Sequence, residues 1–294
     1  MNYSIAGKTV LITGAAGGIG KSSARALHGR GANVVLVDLN QTAVEAAADD
    51  LEPARTLAIA ADVTDRGRLD QIISTTVAHF GGLDVVFANA GIAVNPPATI
   101  ASVDEREFER VIQVDLLGVW RTVRAALPQV IAHRGHVLMT ASVYSYFNGT
   151  ANAAYAISKA GVEQFGRALR TELVGHGATA GILYPGWVNT AIAQVAFDGH
   201  PTATELVQRA YPGPLRKLIT PEAVAAAVVK GIERRSPRIT VPKRWIPISL
   251  MRGVINAVTD KRLERDEEFS RLVLEIEAQA EARASEKTNA AGAA

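Results

Sequence analysis

Short runs in which almost every position is apolar alternate along this chain with longer stretches whose apolar positions recur at helical spacing. Thr9–Thr13, Asn33–Asp38, Thr56–Ala61 and Asp84–Ala88 are of the first kind, and Gly18–Gly31, Gln41–Leu51 and Arg66–Phe80 fall between and after them. A run without polar alternation belongs to a strand covered on both faces, and its regular exchange with helical segments predicts parallel pairing through crossover helices. The pattern continues with a long helix over Glu105–His133, a strand at His136–Thr140, a helix around residues 152–160, a strand at Ala178–Tyr184, a helix over Pro221–Arg234 and a last strand at Arg238–Val241. No linker or composition break precedes Pro242. The expected architecture is α/β, a doubly wound parallel sheet in one domain over residues 1–242, with a helical extension over 243–294.

Composition narrows the classes of function. With 294 residues, 48% hydrophobic and 20% charged, the chain can bury a large core. A formal net charge of +2 points to neither nucleic acid nor an anionic membrane as a partner. There is no cysteine, and the six histidines lack metal-ligand spacing, so no metal site is expected. The first residues lack the basic and apolar regions of a secretory signal, which makes the cytoplasm the expected location. Trp245–Val258 is the most apolar stretch near the C-terminus, but it is short and carries Arg252. It is expected to be buried or to face a partner, a membrane surface being the less favoured reading. Asp260–Lys287 reads as an amphipathic helix for a partner subunit or for the body of its own chain, or equally as a merely solvated, fraying helix, with disorder expected from Thr288 onward.

Candidate chemistry lies at the ends of the strands. After the first strand comes Thr13-Gly14-Ala15-Ala16-Gly17-Gly18-Ile19-Gly20, which opens a helix. Glycines there allow a tight turn, and the helix N-terminus favours an anion such as a pyrophosphate. Asp38 ends the second strand, where a carboxylate accepts from ribose hydroxyls and repels a 2′-phosphate, favouring NAD over NADP; the alternative is that it caps the following turn. Tyr155 and Lys159 stand four residues apart, one turn on a helix, where an ammonium lowers a phenol pKa of about 10. Alone, such a pair could equally lie on a solvated face.

Together these motifs resemble the short-chain dehydrogenase/reductase family in its shorter form. The resemblance rests on Thr13–Gly20, Asp62-Val63, Asn89-Ala90-Gly91, Ser142, Tyr155-x-x-x-Lys159, and Pro185-Gly186 followed by Thr190, and covers about residues 5 to 242. It implies a Rossmann fold and hydride transfer between a nicotinamide cofactor and an alcohol or ketone. Tyr155 would be the general acid/base, Lys159 would lower its pKa and bind the nicotinamide ribose, and Ser142 would hold the substrate oxygen. Gly14, Gly18, Ile19 and Gly20 would cradle the pyrophosphate, Asp38 the ribose, Asp62 and Val63 the adenine. Asn89, Ala90 and Gly91 would line the groove, Val188 and Thr190 would bind the carboxamide, and Pro185 and Gly186 would belong to the same cofactor site.

One position departs from the family pattern. Where many relatives carry an asparagine in a proton relay, this chain has Asp115, which accepts hydrogen bonds but when ionised donates none. Pairing with Lys159 would weaken the lysine's pull on Tyr155. The segment from Gly186 to Thr220 is long and weakly periodic, as expected of a loop that lines a site. Its Trp187, Ile192, Val195 and Phe197, with Ile92, Val94, Val143, Tyr144 and Phe147, are expected to line a largely apolar pocket with no Arg or Lys at these positions, suited to a hydrophobic ketone or secondary alcohol, core packing being the rival explanation for any one of them. A homodimer or homotetramer is expected by the same resemblance. Two alternatives stand beside this reading: a β-ketoacyl reductase whose Arg209, Arg216 and Lys217 greet an acidic carrier protein, and a non-catalytic nucleotide-binding sensor.

Overall fold

The apolar runs become strands because each side of the sheet is covered. The computed structural model describes residues 3–193, 200–211 and 213–292. β1 (Thr9–Thr13), β2 (Asn33–Asp38), β3 (Thr56–Ala60), β4 (Val85–Ala88), β5 (His136–Thr140), β6 (Thr179–Pro185) and β7 (Arg238–Val241) form one sheet in the order β3-β2-β1-β4-β5-β6-β7. Every neighbouring pair is parallel; Leu11, for example, lies between Val35 of β2 and Val86 of β4. The direction of strand addition reverses between β1 and β4, which opens a crevice at their C-terminal ends.

Successive strand residues point to opposite faces and so enter two separate cores. Leu11, Val35, Val37, Val86, Val137 and Met139 pack with α3 (Arg66–Phe80), α5 (Val119–Ala132) and α6 (Ala153–Glu172). Val10, Ile12, Val34, Leu36, Phe87 and Leu138 pack with α1 (Gly18–His28), α2 (Gln41–Ala48) and α8 (Pro221–Glu233). Asp65, Asp104 and Thr220 each accept a hydrogen bond from the N–H three residues on, which starts α3, α4 (Glu105–Ile112) and α8 where the pattern predicts them.

The predicted long helix is interrupted. Between α4 and α5 the turn Gln113–Gly118 is a π-helix, and it buries Asp115. Such a turn inserts an extra residue and rotates the helix beyond it, and the hydrophobic period alone does not reveal it.

The segment after β6 also holds more structure than its weak periodicity predicts. It contains α7 (Pro201–Ala210), whose Ala203 and Leu206 pack against Leu263, Phe269, Leu272 and Ile276. Those last residues belong to α9 (Ile246–Leu263) and α10 (Glu267–Gly292), so α10 uses its apolar stripe on its own chain. Thr99 donates to Glu277 and Thr202 to Glu275, both at 2.8 Å. The helix runs from Glu267 as far as Gly292. No described helix is long and apolar enough to cross a membrane.

The packing of α10 makes a first prediction. Leu272 is 1% exposed, so Leu272→Ala leaves a cavity and lowers the unfolding free energy by about 2 to 4 kcal/mol. Urea denaturation measures it; an unchanged midpoint would show that α10 does not belong to the cooperative unit.

Candidate active site

The C-terminal strand ends converge on a cavity of about 830 Å³. At one end the chain leaves β1 through Gly14, whose φ of +66° a side chain disfavours and whose added Cβ would lie 2.9 Å from Ala90 Cα. α1 then begins at Gly18, after Gly17, without a side-chain cap and without an acid in its first turn. Gly17, Gly18, Ile19 and Gly20 line the cavity, so N–H groups that have no intrahelical partner open on it. This is a cradle for an anion and fits a dinucleotide pyrophosphate.

Around that cradle the predicted nucleotide residues all line the cavity, but not all with free side chains. Asp38 accepts from Ala16 N–H at 2.9 Å and Leu39 N–H at 2.8 Å, so it also braces the glycine turn. Asp62 accepts from Thr64 N–H at 2.8 Å, and Val63 lies beside it. Asn89 ties three strand ends together: its amide nitrogen reaches Thr13 O at 3.2 Å and its oxygen accepts from Thr140 at 3.0 Å. Ala90, Gly91, Pro185, Gly186, Val188 and Thr190 complete the wall.

At the other end stand the hydroxyls and the ammonium. Ser142 follows β5, and its Oγ accepts from Tyr144 N–H at 3.1 Å, which holds the side chain toward the cavity. Tyr155 lies in the first turn of α6. One turn on, buried Lys159 places Nζ 5.3 Å from the Tyr155 ring centroid, 2.9 Å from Asp115 Oδ2 and 3.4 Å from Thr140 O. Asp115 is fully buried, and its Oδ1 accepts from Ile92 N–H at 2.7 Å. Gly91 leaves room for the pair, since a Cβ there would come within 2.8 Å of Asp115 Oδ2 and 3.1 Å of Lys159 Nζ.

The electrostatics follow from burial and these neighbours. Burial raises the Tyr155 pKa and outweighs the pull of Lys159; Asp115 raises it further, and a hydrogen bond to Ser142 lowers it. Burial also disfavours the Lys159 cation, but Asp115 and Tyr155 together hold it above its ordinary value. Asp115 is pushed up by burial and drawn back by Lys159. The lowering of the phenol expected from the lysine therefore exists, but in the protein alone it is smaller than the cost of desolvating a phenolate.

Of the expected substrate pocket, Ile92, Val143, Tyr144, Trp187 and Ile192 line the cavity. Val94 does not: it is buried with Val111 and Ala154. Phe147 is also set behind the wall, where its ring meets Tyr211 at 4.8 Å and Trp245 at 5.7 Å. Val195 and Phe197 lie outside the described residues. Tyr144 packs edge-on against both Tyr155 and Trp187, at 5.7 and 5.5 Å.

Among the lining residues that the sequence motifs do not mark are Arg110 and Asn152. Arg110 brings a cation to the cavity, with its charge matched by Glu107 at 2.7 and 2.9 Å. Nothing in its helical context marks it, because the side of α4 that faces the cavity is set by packing. Asn152 also lines the cavity, and its Oδ1 is buried without a partner. Its place just before the helix of Tyr155, among residues that favour helix starts, is a signal that sequence reading could have used.

Comparisons with known proteins agree with this geometry. A family model described as short chain dehydrogenase matches residues 8–200. Momilactone A synthase of Oryza sativa subsp. japonica is 34% identical over 204 residues, 69% of this chain and 74% of that protein. (+)-Borneol dehydrogenase 1 of Salvia officinalis is 33% identical over 189 residues, 64% of this chain and 72% of that protein. A solved 3-ketoacyl-(acyl-carrier-protein) reductase from Brucella melitensis, complexed with NADH, superposes with a TM-score of 0.72 at 25% identity over 81% of this chain and 98% of its own. This chain belongs to the short-chain dehydrogenase family.

Proposed function

We propose that the protein is an NAD-dependent oxidoreductase that interconverts a hydrophobic secondary alcohol and its ketone, with Tyr155 as general acid/base. The observation that carries this reading is the convergence of Ser142, Tyr155 and Lys159 at one end of a cavity whose other end is an anion cradle. A bound nicotinamide would donate or accept the hydride. The protein's own groups then have only a proton and an oxygen to manage.

In the direction of reduction, Ser142 Oγ and Tyr155 Oη hold the carbonyl oxygen, and Tyr155 gives it a proton. In oxidation the same phenol takes the alcohol proton. Lys159 stabilises the phenolate left behind, while Asp115 keeps Lys159 protonated. The surrounding Ile92, Val143, Tyr144, Trp187 and Ile192 exclude water and favour an apolar substrate body. Asp38 supports NAD, since its carboxylate would lie near the adenosine ribose, and the cationic lining residues, Arg110 and Lys159, both neighbour Asp115 instead.

A carrier-bound β-ketoacyl substrate fits less well. Arg209 is paired with Asp266 at 2.6 Å, and Arg216 donates to Tyr211 O at 3.0 Å. Of the three cations suited to greet an acidic carrier, two already have partners.

Three measurements test the reading. Tyr155→Phe removes the proton donor but little volume, and turnover of alcohols and ketones, followed by nicotinamide absorbance, falls about 10² to 10⁴-fold; retained turnover defeats the mechanism. For Asp115→Asn, a negative charge that disfavours the phenolate is removed, so the Tyr155 inflection in the pH–rate profile moves to lower pH. An inflection that stays in place shows that the pair does not tune the phenol. Asp38→Ala removes the charge that opposes a 2′-phosphate and shifts the ratio of NAD to NADP efficiency toward NADP by roughly tenfold or more; a wild-type enzyme that works only with NADP overturns the cofactor assignment.

A further inference from the structure

Helix α9 has two unlike faces. The inner one is fastened: Trp245, just before it, is fully buried, Ser249 accepts from Arg238 at 2.7 Å, Arg252 donates to Glu163 at 2.8 Å, and Asp260 accepts from Asn148 at 3.0 Å. These ties fix the rotation of the helix about its axis. The outer face is therefore held toward solvent, and it is apolar. Leu250, Val254 and Val258, one turn apart, are 75%, 67% and 65% exposed, and Ile246 and Met251 flank them. Exposure of that extent means that the side chains stand clear of the surface and do not floor a groove.

Cationic side chains stand at both ends of this stripe. Residues 243–263 contain Lys243, Arg244, Lys261 and Arg262 besides Arg252, which is paired with Glu163 on the inner face, and the acid Asp260, which is turned to Asn148; of the acids that follow, Asp266 and Glu268 are paired with Arg209 and Arg271. Arg244 also donates to the Lys217 carbonyl, which sets exposed Lys217 and Leu218 beside the start of the helix. The outer face thus has a projecting apolar middle and a basic group at each end.

We propose that this face docks on a bilayer surface containing anionic phospholipid, the helix lying in the interface with Leu250, Val254 and Val258 among the acyl chains and the flanking lysines and arginines at the headgroups. A second copy of the chain is a poor occupant. An antiparallel two-fold pairing of this face brings cationic side chains together, Lys243 and Arg244 against Lys261 and Arg262. A soft anionic surface accepts both the projecting side chains and the charge. The chain lies on the surface and does not span it, as the absence of a spanning helix among the described residues requires.

The test is co-sedimentation of the full chain with vesicles of phosphatidylcholine alone and of phosphatidylcholine with an equal part of phosphatidylglycerol. The protein is expected to sediment with the anionic vesicles and to be released by high salt. Leu250→Gln/Val254→Gln, at exposed positions that leave the melting temperature unchanged, should weaken the partition by about tenfold for each side chain removed. Lys243→Glu/Lys261→Glu, a second variant at exposed positions, should abolish the preference for the anionic lipid. Wild-type protein that remains in the supernatant with the anionic vesicles overturns the proposal. So does binding that survives in Leu250→Gln/Val254→Gln but is lost in Lys243→Glu/Lys261→Glu, which would mark the face as a site for a soluble acidic partner. A wild-type dimer in sedimentation velocity that dissociates in Leu250→Gln/Val254→Gln would assign the face to a second copy and overturn it equally.

Discussion

A lysine ammonium buried beneath the cavity needs an anion within reach, and its surroundings are arranged around meeting that need. Taking an ammonium out of water costs several kcal/mol. Asp115 offsets this at 2.9 Å, and its own second oxygen is satisfied by the Ile92 amide. The pair exists because a π turn directs Asp115 inward and because residue 91 has no side chain to block it. The chain thus commits three separate segments, after β4, between α4 and α5, and on α6, to keeping one cation charged.

The consequence reaches Tyr155. Its phenol lies in surroundings that oppose ionisation, and the charges beside it act in opposite senses: Lys159 favours the phenolate and Asp115 disfavours it. An asparagine at 115 would orient the lysine without opposing it. The aspartate makes the lysine a more secure cation and the tyrosine a weaker acid, which suits the proton-donating role proposed for Tyr155.

The extension shows how one amphipathic segment can satisfy the fold while its neighbour does not. In α10 the stripe of Phe269, Leu272 and Ile276 is covered by α7, and α7 lies in the same connection that follows Pro185 into the cavity wall. The C-terminal helix therefore supports the element beside the site. In α9 polar and cationic residues tie down the inner face, and Leu250, Val254 and Val258 are left outside. Its orientation is decided by a few strong ties, among them Arg252 to buried Glu163. That outweighs the loss of several exposed aliphatic contacts, because an unpaired buried carboxylate costs more than an exposed Leu or Val.

Much of the molecule is legible in the unfolded chain because its signals are local. Strand and helix order follows from periodicity within single segments, the glycine turn and Asp38 from a strand and the residues at its tip, and the Tyr155–Lys159 pair from the pitch of one helix. The chain by itself thus determined the sheet, the glycine turn that opens on the cavity and the pairing of Tyr155 with Lys159 on one helix face. Tertiary structure decided the features that depend on distance between segments: that Asp115 meets Lys159, that Arg110 enters the cavity while Val94 and Phe147 stand behind its wall, and that α9 turns its apolar face outward. Each of these is settled by which surfaces meet and which charges must be paired when they are buried, quantities that no single segment contains.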